Sequence, residues 1–274
     1  MSTEGWGKVR RPARAGASAD RQRAQVEHWA SPQAVAQYSE ARWLFRGERL
    51  ALTGCFSTGL ARRRVLELGC GGGRVTRFLR DLGAEVVAID ISPNMIRAAQ
   101  ERVPGVDFRV GTAERLEFDD ATFDLVVFAF NGLDCLYPKE YRLQAIQEAW
   151  RVLRSGGRFV FSHHNCEAVM FGWYRFLRPR KLVYRARLIL SGRVFEGDWY
   201  EPDVDTPDIV LYYAWPEVVI ADLRDAGFEL VSMHPNSPLL GVLQRRLHTD
   251  WFTRRADPWP YYTFSKGTPH AAPG

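Results

Sequence analysis

Cysteine is scarce in this chain of 274 residues: four are present, at positions 55, 70, 135 and 166, and none belongs to a C-x-x-C pair. That spacing argues against a structural zinc site and against a disulfide framework, so no metal is expected and the thiols are read as reduced. Long apolar runs are also missing, since none approaches the roughly eighteen residues that a spanning helix needs. The first thirty residues carry Arg10, Arg11, Arg14, Arg21 and Arg23 but no signal-peptide core. Export is therefore not expected, and a cytoplasmic location is. No internal repeat is visible. Acid is lacking in one place in particular: Arg175 to Arg193 holds seven basic residues and no carboxylate, and Lys8 to Arg23 holds six more basic residues. Those two segments outweigh the rest of the chain and leave a formal net charge of +5. They suit an anionic ligand, a nucleic acid or a membrane surface, or else form a solvated basic face.

What is present reads as an ordinary globular protein, with 46% apolar and 25% charged residues. The length suits one large domain better than two. Residues 1–24 lack apolar periodicity and are expected to be a disordered basic arm; residues 25–274 are expected to form a single domain. Within it, helical spacing over 25–60, with Ser31-Pro32 as a start signal, predicts flanking helices. From residue 61 to 164 short apolar strands alternate with helical patterns. Strands are expected at Arg64 to Leu68, Glu85 to Ile89, Val106 to Gly111, Phe123 to Phe130 and Arg158 to Ser162. Helices are expected at Arg74 to Leu82, Pro93 to Arg102 and Lys139 to Leu153. Such alternation implies parallel pairing. The rhythm is lost over 165–212, an inserted cap rich in aromatic and basic residues. A helix from Pro216 to Ala226 and strands at Phe228 to Met233 and Tyr261 to Ser265 close the pattern.

The most informative segment is Val65-Leu-Glu-Leu-Gly-Cys-Gly-Gly-Gly73, an apolar strand that runs into a glycine-rich turn. Glycines at 69, 71 and 73 let the backbone turn sharply and approach a ligand closely. Seventeen residues past Gly73, a second strand ends on Asp90. A carboxylate there suits the hydroxyls of a ribose, so the pair of features indicates an adenosine-containing ligand. Further motifs follow in order: Ile91-Ser-Pro-Asn-Met95, Gly111-Thr-Ala-Glu114, Phe123-Asp-Leu-Val-Val ending at Phe130-Asn131, and Val152-Leu-Arg-Ser-Gly-Gly-Arg-Phe-Val160.

Together these residues resemble the class I methyltransferases that use S-adenosylmethionine, in particular the small-molecule methyltransferase domain group. The resemblance spans about residues 60–165 and extends weakly to the last two strands. It implies a three-layer Rossmann-like α/β fold with a seven-stranded, mostly parallel sheet whose last strand is antiparallel. It also implies S-adenosylmethionine as methyl donor and S-adenosylhomocysteine as product. By the same resemblance, Gly69, Cys70, Gly71 and Gly73 lie beneath the methionyl part. Asp90 accepts from the ribose hydroxyls, Ile91 and Met95 hold the adenine ring, Ala113 and Glu114 read its edge, and Phe130 and Asn131 face the methionyl group. Glu67 is either part of that site or a local partner of a basic residue, and Met95 is equally a core filler. Tyr38 and Arg42 lie one helical turn apart, either as a lid over the methionine carboxylate or as an exposed helix face.

Methyl transfer is an in-line displacement, so positioning supplies most of the catalysis and a base is optional. A hydroxyl acceptor gains from one. His164 and His163 follow the fifth strand where it opens into the cleft, and strand alternation lets only one face inward. Either is otherwise a structural histidine; Asp134 and Tyr213 are lesser rivals. The aromatics of the insert (Trp173, Tyr174, Phe176, Tyr184, Phe195, Trp199) either wall a substrate pocket or pack on themselves, and its arginines suit an anionic acceptor. The expected reaction is methyl transfer to an oxygen or nitrogen of a small molecule. Methylation of a nucleic acid or protein is the alternative, favoured by the basic segments. Phe130-Asn-Gly-Leu133, however, stands where many enzymes acting on planar amino groups carry an N/D-P-P-Y-like tetrapeptide. A nicotinamide-dependent oxidoreductase shares the glycines and acid but has glycine where Arg74 stands. A non-catalytic cofactor-binding protein would keep every motif.

Overall fold

Leu66 and Leu68 face one side of strand β1 (Arg64–Leu68) and Val65 the other, and all three are buried. A strand covered on both faces needs helices on both, and the computed structural model supplies them. It describes residues 15–40, 43–171, 190, 198–202 and 209–267. β1 pairs in parallel with β2 (Glu85–Asp90) and β4 (Phe123–Phe128); β3 (Asp107–Val110) extends one edge and β5 (Leu153–Ser162) lies beyond β4. Later in the chain come β6 (His164–Asn165), β7 (Asp198–Pro202), β8 (Val210–Ala214), β9 (Phe228–His234) and β10 (Tyr261–Lys266). The main sheet has seven strands in the order β3-β2-β1-β4-β5-β10-β9. β10 is antiparallel to both neighbours, as expected of the last strand.

Alternation of side chains along these strands builds two cores. Val65, Leu125 and Val127 pack with Ala51 and Leu52 of α3 (Arg46–Thr53), Leu79 of α4 (Arg74–Asp81) and Ile96 of α5 (Pro93–Arg102). Leu66, Leu68, Val126 and Phe128 pack with Ala145, Ile146 and Ala149 of α6 (Lys139–Val152) and Val219 of the Pro216–Asp225 helix. The result is three layers. α5 starts where its sequence says it should: Ser92 Oγ accepts from Met95 N at 3.3 Å, and Pro93 fills the first turn.

Three expectations need correction. Residues 15–24, expected as disordered, belong to α1 (Ala15–Ala30), which runs on to α2 (Pro32–Glu40). Ala15, Ala17, Ala19 and Ala24 cost little in a helix. Gln25 Nε2 pins that helix to the body by donating to Cys135 O at 3.0 Å and Val210 O at 3.2 Å. Residues 1–14 lie outside the described residues. Second, β5 starts at Leu153 rather than Arg158, taking in a bulge over residues 154–157 with Gly156 at φ +74° where the register against β4 shifts. Third, two helices intervene between β9 and β10: α9 (Pro238–Leu247) and α10 (Trp251–Ala256), after α7 (Cys166–Phe171) and α8 (Pro216–Asp225). Of the 165–212 segment, the described parts are α7, β7 and β8, with β6 completing a small sheet ordered β6-β8-β7. Trp173, Tyr174, Phe176, Tyr184 and Phe195 lie outside the described residues.

Candidate functional site

The carboxyl ends of β1, β2, β4 and β5 meet a cavity of about 740 Å³, within the usual size of small-molecule sites. The glycine turn forms its floor. Gly69 sits at φ +61°, and a Cβ there would lie 2.9 Å from Phe128 Cε2. Gly72 matters for a different reason: its Cβ would fall 2.6 Å from Ser39 Oγ and 2.7 Å from Ser39 Cα. Helix α2 therefore rests on bare backbone at the turn, and the Arg102 guanidinium donates to Ser39 O to hold it there.

Asp90 is tied into the turn. Its Oδ2 accepts from Gly71 N at 2.8 Å and its Oδ1 from Ser92 N at 2.9 Å, while burial raises its pKa above the ordinary carboxylate value. Each oxygen keeps lone-pair capacity for a further donor from the cavity. Ile91, Met95, Ala113 and Glu114 also line it. Met95 does so while buried, so it serves the wall and the core together. Glu67 pairs with a hydroxyl rather than a base: Thr76 Oγ1 donates to Glu67 Oε2 at 2.5 Å, and burial pushes its carboxyl up to about 8. Burial likewise raises the Cys70 thiol, leaving it a backbone contributor to the turn.

Phe130 and Asn131 both have left-handed backbone, at φ +53° and +59°. Asn131 N donates to Ser162 Oγ at 2.9 Å and Phe130 N to Tyr261 Oη at 3.3 Å. The exposed Phe130 ring stacks on Phe45 at 5.5 Å and meets the edge of Tyr38 at 5.9 Å. Tyr38 also lines the cavity; Arg42 lies outside the described residues. Arg74 occupies the place the sequence reading had treated only as a missing glycine. Its guanidinium grips Glu48 twice, at 2.5 and 2.8 Å, and Glu48 Oε1 also accepts from Tyr261 Oη at 3.0 Å. Its position directly after the glycine run was the available signal.

On the cavity wall, His164 Nδ1 lies 2.9 Å from Asp134 Oδ2, which also accepts from the His164 backbone N at 2.6 Å. His164 Nε2 lies 3.2 Å from Asn131 Nδ2. With a proton on Nδ1 facing the buried carboxylate, Nε2 holds its one lone pair toward Asn131 Nδ2, and an acceptor hydroxyl that takes the place of this amide would meet a general base. His163 is corrected: it is fully buried, does not line the cavity, and has neither ring nitrogen hydrogen-bonded among the described residues. Burial pushes its imidazole down to about 3. Tyr213 and Trp199 do not line the cavity: they stack on each other at 5.7 Å, with the Tyr213 ring also 5.1 Å from that of His164. Chain segments the sequence reading had not linked to the site supply part of the remaining wall, among them Val26, Leu136, Tyr141 and Trp259, while Ile209 and Leu211 come from the 165–212 insert.

Residues 65–157 match the family described as "Methyltransferase domain". The chain contains a class I S-adenosylmethionine-dependent methyltransferase domain. The methyltransferase domain is 41% identical over 152 residues to the "Probable phthiotriol/phenolphthiotriol dimycocerosates methyltransferase 2" of Mycobacterium ulcerans (strain Agy99), covering 54% of this chain and 56% of that protein. A "Demethylmenaquinone methyltransferase" of Renibacterium salmoninarum is 36% identical over 104 residues, covering 37% of this chain and 42% of that one. The matches thus span about half the length of these curated relatives or less. In fold the chain is similar to the 1,6-didemethyltoxoflavin-N1-methyltransferase of Burkholderia thailandensis, solved with bound 1,6-didemethyltoxoflavin and S-adenosylhomocysteine. That likeness has a TM-score of 0.61 at 18% identity over 94% of this chain and 93% of that one.

The residues present fit the donor by their own geometry. A side-chain-free turn borders the cavity, two carboxylate oxygens at its rim retain acceptor capacity, and the buried Asn131 Oδ1 has no hydrogen-bond partner among the described residues. Among the described residues, no His, Cys, Asp and Glu cluster is arranged to hold a metal ion.

Proposed function

We propose that this chain transfers a methyl group to a hydroxyl oxygen, or else a nitrogen, of a small and largely apolar molecule, with His164 as general base. The observation that carries this reading is the Asp134–His164 pair, whose imidazole lines the cavity beside Asn131. When bound, S-adenosylmethionine supplies the electrophilic methyl on its sulfonium. Asp90 holds the ribose hydroxyls by charge-assisted hydrogen bonds. Ile91 and Met95 cover the adenine faces, Ala113 and Glu114 meet its edge, and the 69–73 turn lies under the methionyl chain. Tyr38 closes over it from α2. Asp134 keeps the proton of neutral His164 on Nδ1, and Nε2 receives the acceptor's proton as the oxygen attacks. Asp134 then stabilises the imidazolium that forms.

The walls supplied by Val26, Leu136, Tyr137, Tyr141, Ile209 and Leu211 favour an apolar or aromatic acceptor. The similar proteins point the same way, being named for phthiotriol dimycocerosates, demethylmenaquinone and 1,6-didemethyltoxoflavin, none of them a nucleic acid or protein. The test is incubation of purified protein and methyl-labelled S-adenosylmethionine with a lipid-containing metabolite extract. Label in a small organic product, absent with His164→Ala, supports the reading. Label recovered only in macromolecules, or transfer indifferent to His164→Ala, defeats it.

A further inference from the structure

Helix α9 carries an outward apolar stripe that the fold does not cover. Leu239, Val242 and Leu247 are 57%, 37% and 54% exposed, and Trp251 at the start of α10 is 54% exposed. Helical spacing puts Leu239, Val242, Leu243 and Arg246 on one face, with Leu247 and Arg245 at its flanks. From residue 238 to 249 the sequence has no carboxylate. Arg245 and Arg246 are exposed and form no ion pair among the described residues. An apolar stripe edged by unpaired arginines is costly against water alone and suits a surface that is both oily and negative.

The two helices are nonetheless firmly mounted. Asp257 accepts from Asn236 N at 2.7 Å, Ser237 N at 3.2 Å and Trp259 N at 3.0 Å, closing the base of the pair. Gln244 Nε2 donates to Met233 O at 2.8 Å, and Asn165 Nδ2 donates to Arg254 O at 2.6 Å. The stripe is therefore the outer face of an anchored element.

That element borders the cavity. Asn236, just before α9, and Trp259, just after α10, both line it. Asn236 joins three strands of the rim: its Oδ1 accepts from Gly47 N at 3.0 Å, its Nδ2 donates to Trp259 O at 2.7 Å, and its backbone N is held by Asp257. Gly241 of α9 packs directly against the Arg46 guanidinium. Trp43, which lines the same cavity, is 72% exposed three residues before that arginine. Exposed tryptophans at 43 and 259 thus share a rim with the α9 stripe. Such amphipathic rings favour the boundary between water and lipid. The seven-basic-residue segment from Arg175 to Arg193 follows α7, which packs on α10.

We propose that the α9–α10 pair is an interfacial anchor that seats the protein on an anionic lipid bilayer, with the mouth of the cavity at the lipid boundary. Leu239, Val242, Leu247 and Trp251 enter the headgroup region, and Arg245 and Arg246 meet lipid phosphates. An acceptor dissolved in the membrane then reaches the base without crossing water. The seating itself is independent of which atom is methylated.

The test uses the full chain and two sets of extruded vesicles, phosphatidylcholine alone and phosphatidylcholine with phosphatidylglycerol, read by co-sedimentation. Wild type should partition onto the anionic vesicles, with binding that weakens as salt is raised. Arg245→Gln/Arg246→Gln should lose roughly thirtyfold in partitioning, the effect of two arginines near an anionic surface. Leu239→Gln/Leu247→Gln should lose at least on the order of tenfold. Both variants should bind S-adenosylhomocysteine as wild type does in calorimetry, which shows that they are folded. Equal binding to both vesicle types, wild-type partitioning by both variants, or a self-associating chain that ignores vesicles would each overturn the proposal; the last would make the stripe a contact between copies of this chain.

Discussion

Successive residues at the end of a strand point to opposite sides, so His163 and His164 cannot both reach the cavity. His164 finds Asp134 and Asn131, whereas His163 is walled in beside Tyr262 at 5.6 Å. His164→Ala should lower kcat by about 10²- to 10⁴-fold while the calorimetric Kd for S-adenosylhomocysteine stays within a factor of two or so. His163 carries a different expectation. Its folded-state value of about 3 lies below the ordinary 6.5, so the unfolded chain binds the extra proton between those pH values. Stability at His163 is therefore present above about pH 6.5 and lost as pH falls toward 3. His163→Leu should flatten the acid limb of thermal midpoint against pH, with a relative gain of roughly 2 kcal/mol at pH 5 compared with pH 8. An unchanged acid limb would show that His163 is not the titrating group. Two adjacent histidines in a sequence look alike; burial, which is a property of the surrounding elements, separates them.

Helix α2 and the glycine turn show the same logic between elements. The turn was legible because Gly69, Gly71 and Gly73 all take positive φ, a demand local to the chain. Gly72 has no such demand, and its role appears only where Ser39 of α2 lands on it. Gly72→Ala must shift α2 and with it Tyr38, so the Kd for S-adenosylhomocysteine should rise roughly tenfold, a loss of about 1.4 kcal/mol. Wild-type affinity in a folded Gly72→Ala variant would remove α2 from the site. β1 and α5 match their expected limits residue for residue, since a short apolar run ending on a glycine turn and the Ser92-Pro93 start are written within a few residues. Helices α9 and α10 were not read, although Ser237-Pro238 offers the same kind of start. Their apolar residues recur at helical spacing, but over only ten and six residues, too short a window for periodicity to tell helix from strand.

Across the whole molecule, ligand binding and folding are linked. Free S-adenosylhomocysteine at a hundred times its Kd should stabilise the protein by about 2.7 kcal/mol. For a chain of this size that is a rise in Tm of about 5–10 °C by differential scanning fluorimetry. Asp90→Ala should abolish most of that rise, because the backbone amides of Gly71 and Ser92 lose their acceptor together with the ribose. A full rise with Asp90→Ala would displace the ribose from this carboxylate. By itself the sequence determined the alternation of strands and helices, the glycine turn, and the acid one strand later, because each is set by periodicity or dihedral demands within about twenty residues. Only the tertiary structure decided which histidine reaches the cavity and which distant residues complete the wall. Gln25 reaches Val210 across 185 residues, and Tyr261 reaches Glu48 across 213. Such contacts depend on the sheet order that places β10 between β5 and β9, and no local pattern encodes a neighbour that only a crossover brings near.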